Sequence, residues 1–151
     1  MTLIFALILA VALISLSISD WVSFRLPNAL TLPLIAIGLI QAALITGIVT
    51  DSLIGAALGY AIFVLIEISF KALRGKAGLG RGDAKLLAAG GAWTGWMGLP
   101  YIILIASGLG LIGALFPSLR RLSTAQHIPF GPFLALAIAI VWIVTVAAPL
   151  R

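Results

Sequence analysis

The sequence predicts an all-α, polytopic membrane protein with about six transmembrane helices, and two observations predict it. Hydrophobic residues make up 63% of the 151 and charged residues only 9%, against roughly half and a quarter in a soluble domain. The apolar residues also come in long runs that recur along the whole chain, where a soluble domain keeps its runs short and periodic. Such a chain cannot cover itself with polar surface in water and needs lipid as its solvent. A membrane barrel would show segments alternating between lipid and lumen, whereas these blocks are apolar all round.

Six segments follow in order. Thr2 to Ser19 is apolar throughout; a secretory signal would start with basic residues, and the first cation, Arg25, comes only after it, so the segment is read as a retained helix. Ala29 to Ile48 and Ser52 to Ala72 come close to the length that crosses a hydrocarbon core of about 30 Å at about 1.5 Å per residue. Within the latter, Gly55-x-x-x-Gly59 has the small-residue spacing of a helix-packing seam. The fourth segment, Asp83 to Trp96, is short and rises only about 21 Å. With its outer end fixed near Trp93, Trp96 and the break at Gly98 to Pro100, its start lies about 9 Å below the opposite boundary, which sinks Asp83 into the membrane. Pro100 to Phe116 and Gly131 to Ala148 complete the set. No low-complexity tract or shift in composition divides the chain, so residues 1–151 are read as a single domain.

Charge sets the orientation. Arg25, Lys71, Arg74, Lys76, Arg81, Lys85, Arg120 and Arg121 are eight of the nine bases and fall on one side of this arrangement; Asp51 and Arg151 fall on the other. The positive-inside rule makes the basic side cytoplasmic and leaves both termini outside. The net charge of +5 is spread between spans rather than gathered on a soluble face, which favours anionic lipid headgroups over nucleic acid as its partner. There is no cysteine and a single histidine, His127, so neither a thiolate zinc site nor a histidine-rich one is expected, and no cofactor is assigned. His127 is read as a solvated loop residue.

An ionisable residue in or beside a membrane span is a functional candidate, and this chain has four carboxylates. Asp20 stands at the cytoplasmic end of the first segment, where the helix macrodipole disfavours a carboxylate by about 0.3–1 kcal/mol. The plain reading is an interfacial aspartate that ends the span before the turn at Leu26-Pro27-Asn28. Asp83 ends the run Gly78-Leu79-Gly80-Arg81-Gly82-Asp83, and its plain reading is a helix N-cap. The glycines argue for more, because they permit conformations and close approaches that a cap does not require. Glu67 sits four positions before Lys71, the spacing of an ordinary ion pair.

Together, Asp20 and Asp83 are two carboxylates on one membrane side in a chain without a Ser-His, Cys-His or metal-ligand set. Two carboxylates sharing a site cannot both ionise cheaply, which is the arrangement of a proton-sharing pair that activates water against a peptide carbonyl. Lys85 and loop N–H groups are candidates for the oxyanion donors.

Three stretches sharpen this. Asp20-Trp-Val-Ser-Phe-Arg-Leu-Pro-Asn-Ala-Leu-Thr-Leu-Pro-Leu34 resembles the first aspartate motif of the type IV prepilin peptidases. Gly80-Arg-Gly-Asp-Ala-Lys-Leu-Leu-Ala-Ala-Gly-Gly-Ala-Trp-Thr-Gly-Trp96 resembles their Gly-x-Gly-Asp motif, and Ile128-Pro-Phe-Gly-Pro-Phe-Leu-Ala-Leu-Ala137 the opening of their last helix. The three matches keep their order and span most of the chain. The resemblance implies that Asp20 and Asp83 are the catalytic aspartates, and that Gly80, Gly82, Lys85, Pro129 and Gly131 bind substrate or position loops. It also implies cleavage of a prepilin or pseudopilin leader after its glycine at the cytoplasmic face of a bacterial inner membrane, in service of a type IV pilus or protein secretion. Longer family members carry a cytoplasmic segment with a cysteine tetrad, associated with N-methylation. This chain opens on the helix bearing Asp20, so the resemblance is to the peptidase-only form and methyl transfer is not expected.

Two other classes fit parts of the pattern. A non-enzymatic membrane assembly or transporter subunit explains the apolarity but not two aligned carboxylates. A presenilin-like intramembrane protease shares the Gly-x-Gly-Asp chemistry, but there a Tyr typically precedes the first aspartate, where Ser19 stands here.

Overall fold

The computed structural model describes residues 1–23, 26–74, 80–115 and 130–147. Among them are six α-helices and no strand: α1 (Thr2–Ser23), α2 (Asn28–Gln41), α3 (Val49–Arg74), α4 (Arg81–Thr94), α5 (Gly98–Leu115) and α6 (Gly131–Ala147). Each predicted segment corresponds to one helix, and the chain is an all-helical, polytopic membrane protein. Three stretches are long and apolar enough to cross a membrane, Thr2–Ser23, Asn28–Thr46 and Val49–Leu73; Gly98–Gly113 and Gly131–Ala147 are shorter apolar helices. Large side chains such as Leu3, Leu7, Val11, Leu104 and Ile143 stand exposed on the outer surface, as lipid-facing residues must when the solvent is hydrocarbon.

The α2 span is not one regular helix. Pro33 lies inside it and has no N–H to offer the preceding turn. Its last turn, Ala42–Thr46, is π-helical and closes with Gly47 donating to the carbonyl of Ala42 at 2.8 Å. Gly47 then takes a φ of 71°, a conformation that side-chain-bearing residues rarely adopt, and the chain turns into α3.

The core is organised around α4, buried from Ala84 to Trp93 with Lys85 half-buried. It packs on α3, α2 and α6, while α1 and α5 lean mainly on α6. The α3–α4 contact uses the predicted Gly55-x-x-x-Gly59 seam. A Cβ on Gly55 would sit 2.5 Å from the carbonyl oxygen of Gly91, and one on Gly59 2.7 Å from that of Leu87. Bare backbones therefore touch along this line, as small-residue seams allow.

Trp93 anchors the other end. Its indole N–H donates to the carbonyl of Leu34 at 2.8 Å, and Gly38 makes room, since a Cβ there would lie 2.6 Å from the ring. Phe5 and Trp142 meet the same ring edge-on, with centroids 6.3 and 5.8 Å away. The N-terminal part of α1 thus lies beside the C-terminal part of α4. The two helices run antiparallel, which brings the end of α1 to the start of α4.

Candidate active site

Asp20 is not the terminal residue that the sequence suggests. α1 continues through Ser23, so Asp20 lies inside its last turn, and it is buried at 7% exposure. A carboxylate so placed needs a partner, and the structure supplies one from far along the chain. The main-chain N–H of Gly131, first residue of α6, donates to Asp20 Oδ2 at 2.9 Å. The positive end of a helix dipole therefore faces the carboxylate. A Cβ on residue 131 would lie 2.5 Å from that oxygen, so glycine here is what lets the helix start come within hydrogen-bonding reach.

Asp83 also departs from its plain reading. α4 begins at Arg81 with Gly80 as N-cap, extended at φ −80° and ψ 137° and making no side-chain cap hydrogen bond. Asp83 is the third helical residue and its own N–H donates to the Gly80 carbonyl at 3.0 Å. It is half-buried, at the same end of the bundle as Asp20.

The glycines of the Gly-x-Gly-Asp run serve differently from expectation. Gly80 has an ordinary negative φ, and a Cβ there would make only ordinary contact, 3.8 Å from Asp83 Oδ2; among the described glycines only Gly47 and Gly95 have positive φ. Gly82 is required for proximity: a Cβ there would lie 2.9 Å from Leu26 Cβ. The second aspartate's segment thus rests against the corner that follows the first. Lys85 reaches the same corner and donates a hydrogen bond to Asn28 Oδ1, so the ammonium expected to serve as a free oxyanion donor is held by a side chain of α2. Glu67 pairs across to Arg81 at 3.7 Å instead of along its own helix to Lys71; the start of α4 lies over the end of α3 and brings the guanidinium within range. Gly78, His127 and Pro129 fall outside the described residues.

Asp20, Asp83, Gly82, Lys85 and Gly131 therefore come together at one end of the bundle. Leu26 and Asn28 join them without having been singled out. Both lie in the Leu26-Pro27-Asn28 turn, but Asn28 is 57 residues from Lys85, a separation at which periodicity says nothing. A cavity of about 500 Å³ lies at the opposite end, lined by Gln41, Asp51, Trp93 and Thr94 among others, and neither candidate aspartate borders it.

The chain is 44% identical over 145 residues to a "Prepilin leader peptidase/N-methyltransferase" of Aeromonas salmonicida (strain A449), covering 91% of this chain and 48% of that protein. The protein of the same name from Pseudomonas aeruginosa is 41% identical over 140 residues, 90% of this chain and 48% of its own. That from Burkholderia pseudomallei (strain 1026b) is 43% identical over 129 residues, 84% and 42%. The chain spans about half the length of the curated relatives it matches. No solved structure matches it. A family model described as the type IV leader peptidase family covers residues 7–116, a stretch that contains both aspartates, and on that match and those identities the chain belongs to the type IV leader peptidase family.

Proposed function

We propose that this protein is a membrane aspartic endopeptidase that removes the leader of type IV prepilin-like proteins. The observation that carries the reading is that the helix start bearing Asp83 rests, through Gly82 and Lys85, on the corner that follows Asp20, at one end of a bundle whose relatives are named prepilin leader peptidases. One carboxylate, ionised, takes a proton from water as the oxygen attacks the scissile carbonyl carbon. Its protonated partner gives its proton to the carbonyl oxygen, and a neutral tetrahedral diol results. Collapse breaks the C–N bond; the nitrogen takes up a proton and leaves as the amine of the trimmed protein, while the leader keeps the new carboxylic acid. The pair ends as it began, sharing one proton. Gly131 holds Asp20's carboxylate in one orientation through this cycle, and orientation is where much of the rate enhancement of such sites resides.

The cleavage face follows from charge. Lys71, Arg74, Arg81 and Lys85 stand at the helix ends nearest the aspartates, and the positive-inside rule supports the reading that this end is cytoplasmic and both termini lie outside an inner membrane. Lys71, exposed at that end, is placed to meet anionic lipid headgroups.

Asp20→Asn and Asp83→Asn test the reading directly, since the amide keeps the shape but cannot cycle a proton. Each variant, coexpressed with a prepilin, is expected to reach the membrane at the wild-type level and leave the prepilin unprocessed on a gel. Near-normal processing by either variant removes that residue from the catalytic pair.

A further inference from the structure

We propose that Asn28 is a positioning residue: by accepting the Lys85 ammonium it fixes the first turns of α4, and Asp83 with them, against the corner that follows Asp20. The inference rests on the two-aspartate reading above and extends it to a residue outside that pair.

The geometry is that of a cross-brace between the two aspartate segments. Pro27 at the N-cap holds the corner extended, at φ −67° and ψ 134°, and α2 begins at Asn28. Asn28 Oδ1 accepts from Lys85 Nζ, two residues beyond Asp83. One residue before Asp83, Gly82 rests on Leu26 with no room for a Cβ, and two before it, Arg81 is tied to Glu67 of α3. Contacts of α4 with the corner and with α2 thus flank Asp83 on both sides in sequence, and Asn28 supplies the polar one. An ammonium on the first turns of a helix is repelled by the positive end of the dipole, so Lys85 has reason to leave its own helix for an acceptor.

The test is a double-mutant cycle on the purified full chain in lipid nanodiscs, with a prepilin as substrate. Asn28 is exposed, so Asn28→Ala leaves the packed interior untouched. Asn28→Ala and Lys85→Met are each expected to lower kcat about tenfold, the lower end for a hydrogen bond to a charged group because the contact lies at the rim. KM should change less than about twofold and the double variant be no slower than the slower single, which is the signature of one shared interaction. Asn28→Asp keeps an acceptor and should restore most of the rate. Additive losses, or a slow Lys85→Met beside a wild-type Asn28→Ala, overturn the inference; the second outcome assigns Lys85 to the substrate. Asp20→Asn in the same assay separates the two readings. If it still cleaves, the aspartate mechanism itself fails, whereas an inactive Asp20→Asn with an additive cycle defeats only the role of Asn28.

Discussion

Gly131 has no chemistry of its own, yet the site depends on what it lacks. In Gly131→Ala the new methyl group meets Asp20's carboxyl group, which must rotate away, and lies 3.1 Å from its Cβ, which rotation does not move and which must give by a few tenths of an ångström. In rotating, Oδ2 gives up its hydrogen bond from the residue 131 N–H. The expected result is a loss of about 10- to 100-fold in kcat, the range for a lost charge-assisted hydrogen bond, with little change in the unfolding midpoint. A large drop in stability with normal turnover per folded molecule would show that the glycine serves packing alone. Glu67 makes the contrast. Its partner Arg81 has a side chain 82% exposed and the contact is 3.7 Å, and pairs of that kind contribute little. Glu67→Gln should therefore retain most of its leader processing in the same gel assay. Both aspartates were visible in the sequence because carboxylates are rare in membrane spans. The seat of Gly131 against Asp20 was not, since 111 residues separate them and a glycine leaves no periodic mark.

At the level of elements, the α3–α4 seam divides the glycines into those that carry the bundle and those that do not. A Cβ on Gly91 would run into the Gly55 carbonyl carbon and oxygen. The neighbour there is backbone, so no side chain can rotate to relieve it. Gly91→Ala is expected to destabilise by about 1–3 kcal/mol, the cost of overpacking a tight contact, read as a lower thermal midpoint in detergent. Gly108 in α5 would have nothing within 4 Å of an added methyl group, and Gly108→Ala should be neutral or slightly stabilising because alanine loses less backbone entropy in a helix. If the two variants unfold alike, the seam is not a determinant of stability. The Gly55-x-x-x-Gly59 half of this contact was legible from spacing, but its partner was not, because Gly91 belongs to a glycine–alanine run with no single privileged spacing. The reading of Asp83 as a cap failed for a related reason. Helix starts shift by a residue or two, and the shift of α4 to Arg81 moves Asp83 from the cap to the interior of the first turn.

For the whole molecule, the decisive property on the proposed reading is which end faces the cytoplasm, because on that reading a leader is cut only on the side where the carboxylates lie. The six-helix order was legible because hydrophobic runs record spans directly, and the grouping of basic residues supplies the expected orientation. Packing then changes how that orientation is best tested. Ser52, at the outer turn before α3 by sequence, is an obvious site for a single cysteine in a chain that has none. The structure buries it to 5% exposure at the edge of the cavity, so a thiol there would resist reagents from either side and its silence would carry no information. Ile48, one turn earlier and 52% exposed, marks the same end, and Ser23 is exposed at the end bearing Asp20. In intact cells a membrane-impermeant maleimide is expected to label Ile48→Cys and to spare Ser23→Cys until the membrane is opened. Both sites lie near helix ends, outside the buried core, so the substitutions leave the bundle intact. Labelling of Ser23→Cys from outside, with Ile48→Cys protected, would invert the protein in the membrane. The aspartate pair would then face the wrong compartment for the proposed cleavage at the cytoplasmic face.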